Sequence, residues 1–195
     1  VALIPVDEVS GENQIMIVPG ASETISSEEV YRLEDVIDEA SFILLQYEVN
    51  QDANELIKKI ALEKSKKVIV NTAPYVDVDK KFYDGLYLVT PNESEAESLT
   101  GVKVNDLESC RKASQLIKDM GVQNVIITLG KEGVFVDSDG KSEIIPSYKV
   151  KAVDTTGAGD AFNGGLLAAL SEGKDIFSAA KFANATAGLA VTKMG

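Results

Sequence analysis

The sequence predicts an α/β fold, a three-layer α/β/α sandwich with a mostly parallel central sheet. Short apolar runs that suit strands alternate with longer segments in which apolar residues recur at helical spacing, and short turns join the two kinds. The chain has 195 residues, of which 45% are hydrophobic, and this is enough to bury one sizeable core.

The predicted elements begin with two short strands, 1–6 and 14–18, which a polar turn at 11–13 joins into a hairpin. Further strands are predicted at 42–45, 68–70, 86–89, 125–127 and 134–136, and helices at 26–40, 53–61, 106–120, 161–170 and 176–192. We interpret 1–20 as a separate β element and 21–195 as the core. Because residue 1 lies within an apolar run and residue 195 follows a helix without a stop signal, we expect a piece of a longer chain.

Three of these elements carry specific expectations. The first helix has the capping-box spacing of Ser26 and Glu29. Its predicted buried face consists of Val30, Leu33, Val36, Ile37 and Ala40. The run 42–45 is expected to be a buried parallel strand. The last helix is expected to be slim and buried, Phe182 included.

The composition excludes several classes of function. A net charge of -12 argues against nucleic acid and anionic membranes as partners. The absence of histidine removes Ser-His-Asp and Cys-His catalysis and most zinc sites. A single cysteine, Cys110, cannot pair within the chain, and no signal-peptide pattern or membrane-spanning run is present, so a cytoplasmic setting is expected.

The most informative stretch is 153–165, which reads V-D-T-T-G-A-G-D-A-F-N-G-G. It predicts a tight turn that leads into a helix, with Thr155 or Thr156 as the cap and Gly157 and Gly159 removing side chains from the turn. The amides of the first helical turn lack partners within the helix, and together with the helix dipole they form an anion site.

Asp160 stands at the mouth of that anion site. A loop that only bound anions would not favour a carboxylate there, whereas phosphoryl transfer needs a base for the attacking hydroxyl. Two simpler phosphate motifs are excluded. Glu132 follows Gly130-Lys131 where a P-loop requires Ser or Thr, and Phe162 stands where the dinucleotide fingerprint requires its last glycine.

The run 154–165 closely resembles the signature of the ribokinase-like (PfkB) family of sugar and nucleoside kinases. Two further motifs occur in the family order, N-x-x-E at 92–95 and T-x-G-x-x-G at 128–133. The resemblance covers the whole chain. It implies the ribokinase-like fold, with 1–20 as part of a small β-sheet lid over the sugar. It also implies transfer of the ATP γ-phosphoryl group to a sugar hydroxyl, foremost that of D-ribose to give D-ribose 5-phosphate.

Two alternatives stay open. One is another specificity within the family, for fructose, deoxyribose or a nucleoside. The other is a non-catalytic module that binds nucleotide or sugar on the same fold. Ser22 stands where ribokinases usually have asparagine, which weakens the case for a pentose. Full-length members pair through their lids, so the resemblance also suggests a homodimer of the complete protein.

The resemblance also implies roles for individual residues. Asp160 would be the catalytic base, and the turn of Gly157, Ala158 and Gly159 would supply the amides that bind the transferring phosphoryl group. ATP would contact Asn92, Thr128, Gly130, Lys131, Glu132, Gly133, Gly159, Asp160 and Asn184. The sugar would contact Glu48 and Asp160.

Two ions are implied as well. Mg²⁺ would be held near Glu95 through water. K⁺, a monovalent activator, would be bound mostly by backbone carbonyls of Asp154, Thr156, Ala190, Lys193 and Gly195.

Overall fold

The computed structural model describes residues 2–3 and 16–194. Near the N-terminus, β1 (Ala2–Leu3) pairs antiparallel with β2 (Met16–Ile17), and Ala2 lies opposite Ile17. This pairing confirms the expected hairpin strands. The turn predicted at 11–13 lies outside the described residues, and the assignment of 1–20 to a lid stays a prediction.

The main sheet has six strands in sequential order. They are β3 (Phe42–Leu45), β4 (Lys67–Val70), β5 (Leu88–Val89), β6 (Asn124–Thr128), β7 (Val134–Ser138) and β8 (Lys141–Ile145). Strands β3 to β6 run parallel, whereas β7 and β8 add to β6 as antiparallel strands. The mostly parallel sheet is therefore confirmed, and the carboxyl ends of four strands meet at one edge.

Helices cover both faces of this sheet. They are α1 (Ser27–Tyr31), α2 (Glu34–Glu39), α3 (Gln51–Glu63), α4 (Glu93–Thr100), α5 (Leu107–Lys118), α6 (Ala158–Ser171) and α7 (Ile176–Ala190). Along β4, Val68 and Val70 belong to the core with α1 to α5, while Ile69 belongs to the core with α6 and α7. This alternation follows from the two-residue period of a strand and confirms the three layers. No helix in the described part of the chain could cross a membrane.

The first predicted helix is wrong in its extent. The capping box of Ser26 and Glu29 forms, but the helix breaks at 32–33 into α1 and α2. Val30 and Ile37 are buried, whereas Leu33 and Val36 are 46% and 63% exposed. Two short helices with a turn between them cannot keep one continuous face toward the core.

Two other expectations of burial are also wrong. The strand β3 lies at the edge of the sheet, so Leu45 is buried but its other side chains are only partly covered, and Leu44 is 37% exposed. Phe182 on α7 is 49% exposed, because the buried side of that helix is formed by Ala179, Ala180 and Ala183. Its small residues do allow close packing, since a Cβ on Gly165 of α6 would lie 2.7 Å from Thr186 Oγ1.

Candidate active site

Three of the predicted site residues lie at the carboxyl edge of the parallel strands. Glu48 follows β3, Asn92 follows β5, and Thr128 ends β6. The segment after β5 runs beside β6, because Thr128 N donates a hydrogen bond to Pro91 O at 2.9 Å and Asn92 forms a bridge with Thr128. The two motifs that begin at Asn92 and Thr128, for which nucleotide binding is expected, are therefore neighbours in space.

The turn before α6 differs from its predicted form at the cap. Gly157 is the N-cap residue, with φ of 72°, and no side chain caps the helix. Instead, Asp154 Oδ1 accepts a hydrogen bond from Thr156 N at 2.9 Å, which folds the preceding loop into its own turn. The prediction that Thr155 or Thr156 caps the helix is therefore wrong, because the left-handed glycine sets how the chain enters α6.

The amides of this turn form a cluster of donors. Ala158 N donates to Thr155 O at 3.2 Å, so this amide is already paired. The amides of Gly157, Gly159 and Asp160 have no acceptor among the described residues. Such amides at a helix N-terminus bind anions. This turn, called here the anion-binding turn, therefore has three amides available to a ligand, those of Gly157, Gly159 and Asp160. The Ala158 amide is not available, because it is hydrogen-bonded within the turn.

Asp160 lies in the first turn of α6 with its side chain exposed. In the part of the chain that the structure describes, no hydrogen bond or ion pair engages its carboxylate. The group is thus available to accept a proton from a bound molecule. It lies on the same turn as the unpaired amides, which is the arrangement that the predicted role as a base would require.

A second contact joins this loop to the end of α7. Val153 N and Asp154 N both donate to Val191 O, at 2.7 and 3.2 Å. The contact brings 154–156 next to 190–193, the two segments from which the carbonyl ligands for K⁺ were expected. Gly195, the last of those ligands, lies outside the described residues.

A cleft of about 460 Å³ opens beside the anion-binding turn. Its lining contains the predicted residues Gly130, Lys131 and Asn184. It also contains Thr155 and Ala158 from the turn itself. Residues that the sequence did not indicate complete the walls: Ser147, Tyr148, Lys149, Val150, Ala152, Ala187, Gly188 and Val191. Most of these are small or apolar, and in the sequence they carry no motif.

Asn184 is 6% exposed, and its Nδ2 donates to Pro146 O at 2.9 Å. It therefore fastens α7 to the segment after β8 while it lines the cleft. Gly133 has a different setting. It has φ of 107°, and a Cβ there would lie 2.1 Å from Ile145 O. Gly133 thus shapes the turn by close contact with that segment, whereas Lys131 and Glu132 of the same turn are exposed.

Glu95 is only 7% exposed and holds the start of α4 together. Its Oε2 accepts hydrogen bonds from Thr72 Oγ1 at 2.8 Å and Asn92 N at 3.0 Å, and its Oε1 accepts one from Asn92 Nδ2 at 2.8 Å. A carboxylate has about four lone-pair positions. Three are used, so the group can reach a metal more readily through a water than as a direct ligand, as expected for Mg²⁺.

Two placements complete the comparison with the sequence. Glu48 is exposed at the end of β3, and no hydrogen bond joins it to another site residue within the described ranges. The sequence did not indicate Thr72, Thr90 or Asn163, which are buried and hydrogen-bonded around the site. Asn163 lies within the 154–165 motif, but the neighbouring sequence does not indicate the hydrogen-bond partners of its side-chain amide.

Known proteins similar to this chain in sequence and in fold are carbohydrate kinases. Residues 1–195 match the family described as pfkB family carbohydrate kinase. A ribokinase of Haemophilus influenzae is 42% identical over 186 residues, which are 95% of this chain and 61% of that protein. A deoxyribokinase of Salmonella typhi is 32% identical over 191 residues, with the same two coverages. The solved structure of Arabidopsis thaliana ribokinase complexed with ribose and ATP superposes with a TM-score of 0.89 at 28% identity.

The chain therefore belongs to the pfkB family of carbohydrate kinases. It covers 61% of the Haemophilus ribokinase and 63% of the Arabidopsis chain. Within that family its fold is that of the ribokinases, whose structure it matches over its full length.

Proposed function

We propose that the protein carrying this chain is an ATP-dependent sugar kinase that phosphorylates D-ribose at O5. The observation that carries the proposal is the turn before α6. Within the described ranges, an exposed carboxylate with no hydrogen bond or ion pair lies beside three amides without acceptors there. A donor cluster and a base on one turn suit the attack of a hydroxyl on a phosphoryl group. The adjoining cleft has room for a nucleotide whose phosphates point at this turn.

In the proposed reaction, Asp160 accepts the proton of the sugar hydroxyl as the hydroxyl oxygen attacks the γ-phosphorus and the bond to the ADP oxygen breaks. General-base catalysis of this kind contributes about 10²–10⁴ in rate. The amides of Gly157 and Gly159 donate to the phosphoryl oxygens that gain charge. By analogy with oxyanion holes, each such donor is worth on the order of 3–4 kcal/mol.

The two ions, Mg²⁺ and K⁺, would bind at separate places in the proposed site. Mg²⁺ would neutralise charge on the β- and γ-phosphates, with Glu95 holding one of its waters. K⁺ would lie between 154–156 and 190–193, beside the anion-binding turn. The chain's own residues hold the phosphates, orient the hydroxyl and accept its proton.

Ribose is the acceptor that the relatives favour first, and deoxyribose is the strongest competitor, because a deoxyribokinase is 32% identical to this chain. Glu48, exposed at the carboxyl end of β3, is the carboxylate that would accept hydrogen bonds from the sugar. Ser22 is the departure from the ribokinase pattern that could affect this choice.

The test is release of ADP from ATP, Mg²⁺ and D-ribose by the complete gene product, with and without K⁺. We expect Asp160→Asn to lower kcat by at least a hundredfold while ATP binding is kept. Glu108→Gln is the matched control, since it also removes an exposed carboxylate from the first turn of a helix. It should leave kcat within twofold.

Three outcomes would contradict parts of the proposal. Equal rates for Asp160→Asn and the wild type would exclude the base. Faster turnover of deoxyribose, fructose or adenosine than of ribose would replace the acceptor. Binding of ATP without any sugar-dependent ADP would favour a non-catalytic binding module.

A further inference from the structure

We propose that Asn163 and Thr90 are positioning residues for the catalytic turn, and that they act as a single hydrogen-bonded bridge between α6 and the sheet. Thr90 Oγ1 donates to Asn163 Oδ1 at 2.8 Å, and Asn163 Nδ2 donates to Gly159 O at 3.0 Å. The bridge thus runs from the end of β5 to the residue that precedes Asp160.

Hydrogen bonds of Asp154 and Val191 hold the loop before the turn, but few side chains support residues 157–160 themselves. Gly157 and Gly159 leave the backbone permissive, and no side chain caps α6. Among the described residues, Asn163 is the one side chain that hydrogen-bonds to any part of 157–160. The amides of Gly157, Gly159 and Asp160 have no acceptor among the described residues, and Asn163 leaves them so because it binds the Gly159 carbonyl.

The other end of the bridge is rigid. Thr90 N donates to Val70 O at 3.0 Å, which joins Thr90 to β4, a strand paired on both sides within the sheet. Thr90 is 3% exposed and Asn163 is 4% exposed. A hydrogen bond between two buried groups is costly to lose, because the group left behind has no water to replace its partner.

The bridge also joins the two halves of the proposed site. Two residues after Thr90, Asn92 begins the motif that holds Glu95, while Asp160 follows Gly159 directly. A connection between these segments fixes the base relative to the side where the nucleotide phosphates would lie. Small displacements of a base from its acceptor hydroxyl lower rates steeply, by as much as about 10²-fold for 1 Å.

The chain offers a matched control for the purely structural effect of such a bridge. Ser138 Oγ donates to Asn124 Oδ1 at 2.7 Å, and Asn124 Nδ2 donates to Tyr87 O at 2.8 Å. This is the same hydroxyl–asparagine–carbonyl arrangement, and it is also buried. It lies at the amino end of β6, at the opposite edge of the sheet from the site.

The first measurement is amide hydrogen exchange at Ala161 and Phe162, resolved by NMR in the complete gene product. Ala161 N donates to Gly157 O at 2.9 Å and so reports the order of the turn. We expect Thr90→Val to raise exchange at these amides at least tenfold, Thr90→Ser to restore it within threefold, and Ser138→Ala to leave it unchanged. Unchanged exchange in Thr90→Val would overturn the proposal.

The second measurement is kinetic and rests on the proposed function. Thr90→Val should lower kcat at least tenfold with KM for ATP changed less than threefold, and Thr90→Ser should restore kcat. Adding Asn163→Leu to Thr90→Val should cost no more than the worse single variant, because both break one bridge. Equal kcat losses in Ser138→Ala, or multiplicative losses in the double variant, would overturn it. If the wild type has no sugar-dependent activity, the proposed function fails while the exchange data still decide the bridge.

Discussion

At the scale of single residues, two glycines in one turn have different settings. Gly133 has φ of 107° and no space for a Cβ, whereas Gly130 has φ of 50° and no atom within 4 Å of where its Cβ would be. The family resemblance gives both the same role in ATP binding. Gly133 is therefore needed for close packing within the protein, whereas Gly130 lines the cleft and has open space beside it.

This difference can be measured with a pair of alanine substitutions. Gly133→Ala places a methyl group against Ile145 O and Ser147 N, so the turn must open, and we expect a loss of more than about 2 kcal/mol in the free energy of unfolding. Gly130→Ala should cost about 1 kcal/mol through backbone strain alone, and its larger effect should be on ATP affinity. Urea unfolding and ATP titration separate the two. Equal losses of stability would contradict this assignment.

At the scale of elements, the contact between α6 and α7 depends on one glycine of an adjacent pair. A Cβ on Gly165 would lie 2.9 Å from Thr186 Cβ and 3.2 Å from Ala183 Cα, whereas a Cβ on Gly164 would meet nothing within 4 Å. Gly165 therefore allows the close approach of the two helices, and Gly164 takes no part in it. Gly164 faces solvent, where its conformational freedom only weakens the helix.

Alanine at these neighbouring positions should therefore have opposite effects. Gly165→Ala forces α7 away from α6 and should lower the free energy of unfolding by about 1–3 kcal/mol. Gly164→Ala should raise it by about 0.5–1 kcal/mol, because alanine favours the helix and meets no neighbour. Thermal and urea unfolding of the two variants provide the measurement. A stabilising Gly165→Ala would show that the helices are not packed this closely.

At the scale of the whole molecule, the cleft has walls from separate parts of the chain. The turn at Gly130, the segment after β8, the start of α6 and the side of α7 meet only in the folded protein. A ligand bound there should stabilise all of these parts together. At a concentration of one hundred times its Kd, a ligand that binds only the folded state adds about 2.7 kcal/mol to its stability.

We expect ADP to provide this stabilisation and Gly188→Phe to abolish it. Gly188 lines the cleft, and a Cβ there would lie 3.8 Å from Tyr148 Cβ, so a larger side chain extends into the ligand space. Ala168→Phe, which adds the same ring to an exposed position on α6, should keep the ADP effect. Thermal unfolding with and without ADP provides the measurement. Full ADP stabilisation in Gly188→Phe would place the nucleotide elsewhere.

The sequence by itself determined the order of the elements and placed a carboxylate next to the glycines of the central turn. Strand and helix periods, and the capping box of Ser26 and Glu29, depend on interactions between residues a few positions apart. Such interactions are readable from spacing alone. For this reason the mostly parallel sheet could be predicted, while the roles of the candidate site residues stay predictions.

The tertiary structure decided what depends on residues far apart in the chain. The edge position of β3 leaves Leu44 partly exposed, and no local pattern encodes that position. Thr90 and Asn163 are 73 residues apart, and their pairing requires both the strand order and the packing of α6 on the sheet. Which amides of the turn remain unpaired also depends on the loop around it. Spacing encodes local hydrogen bonds and faces, whereas burial and long-range pairing are properties of the assembled core.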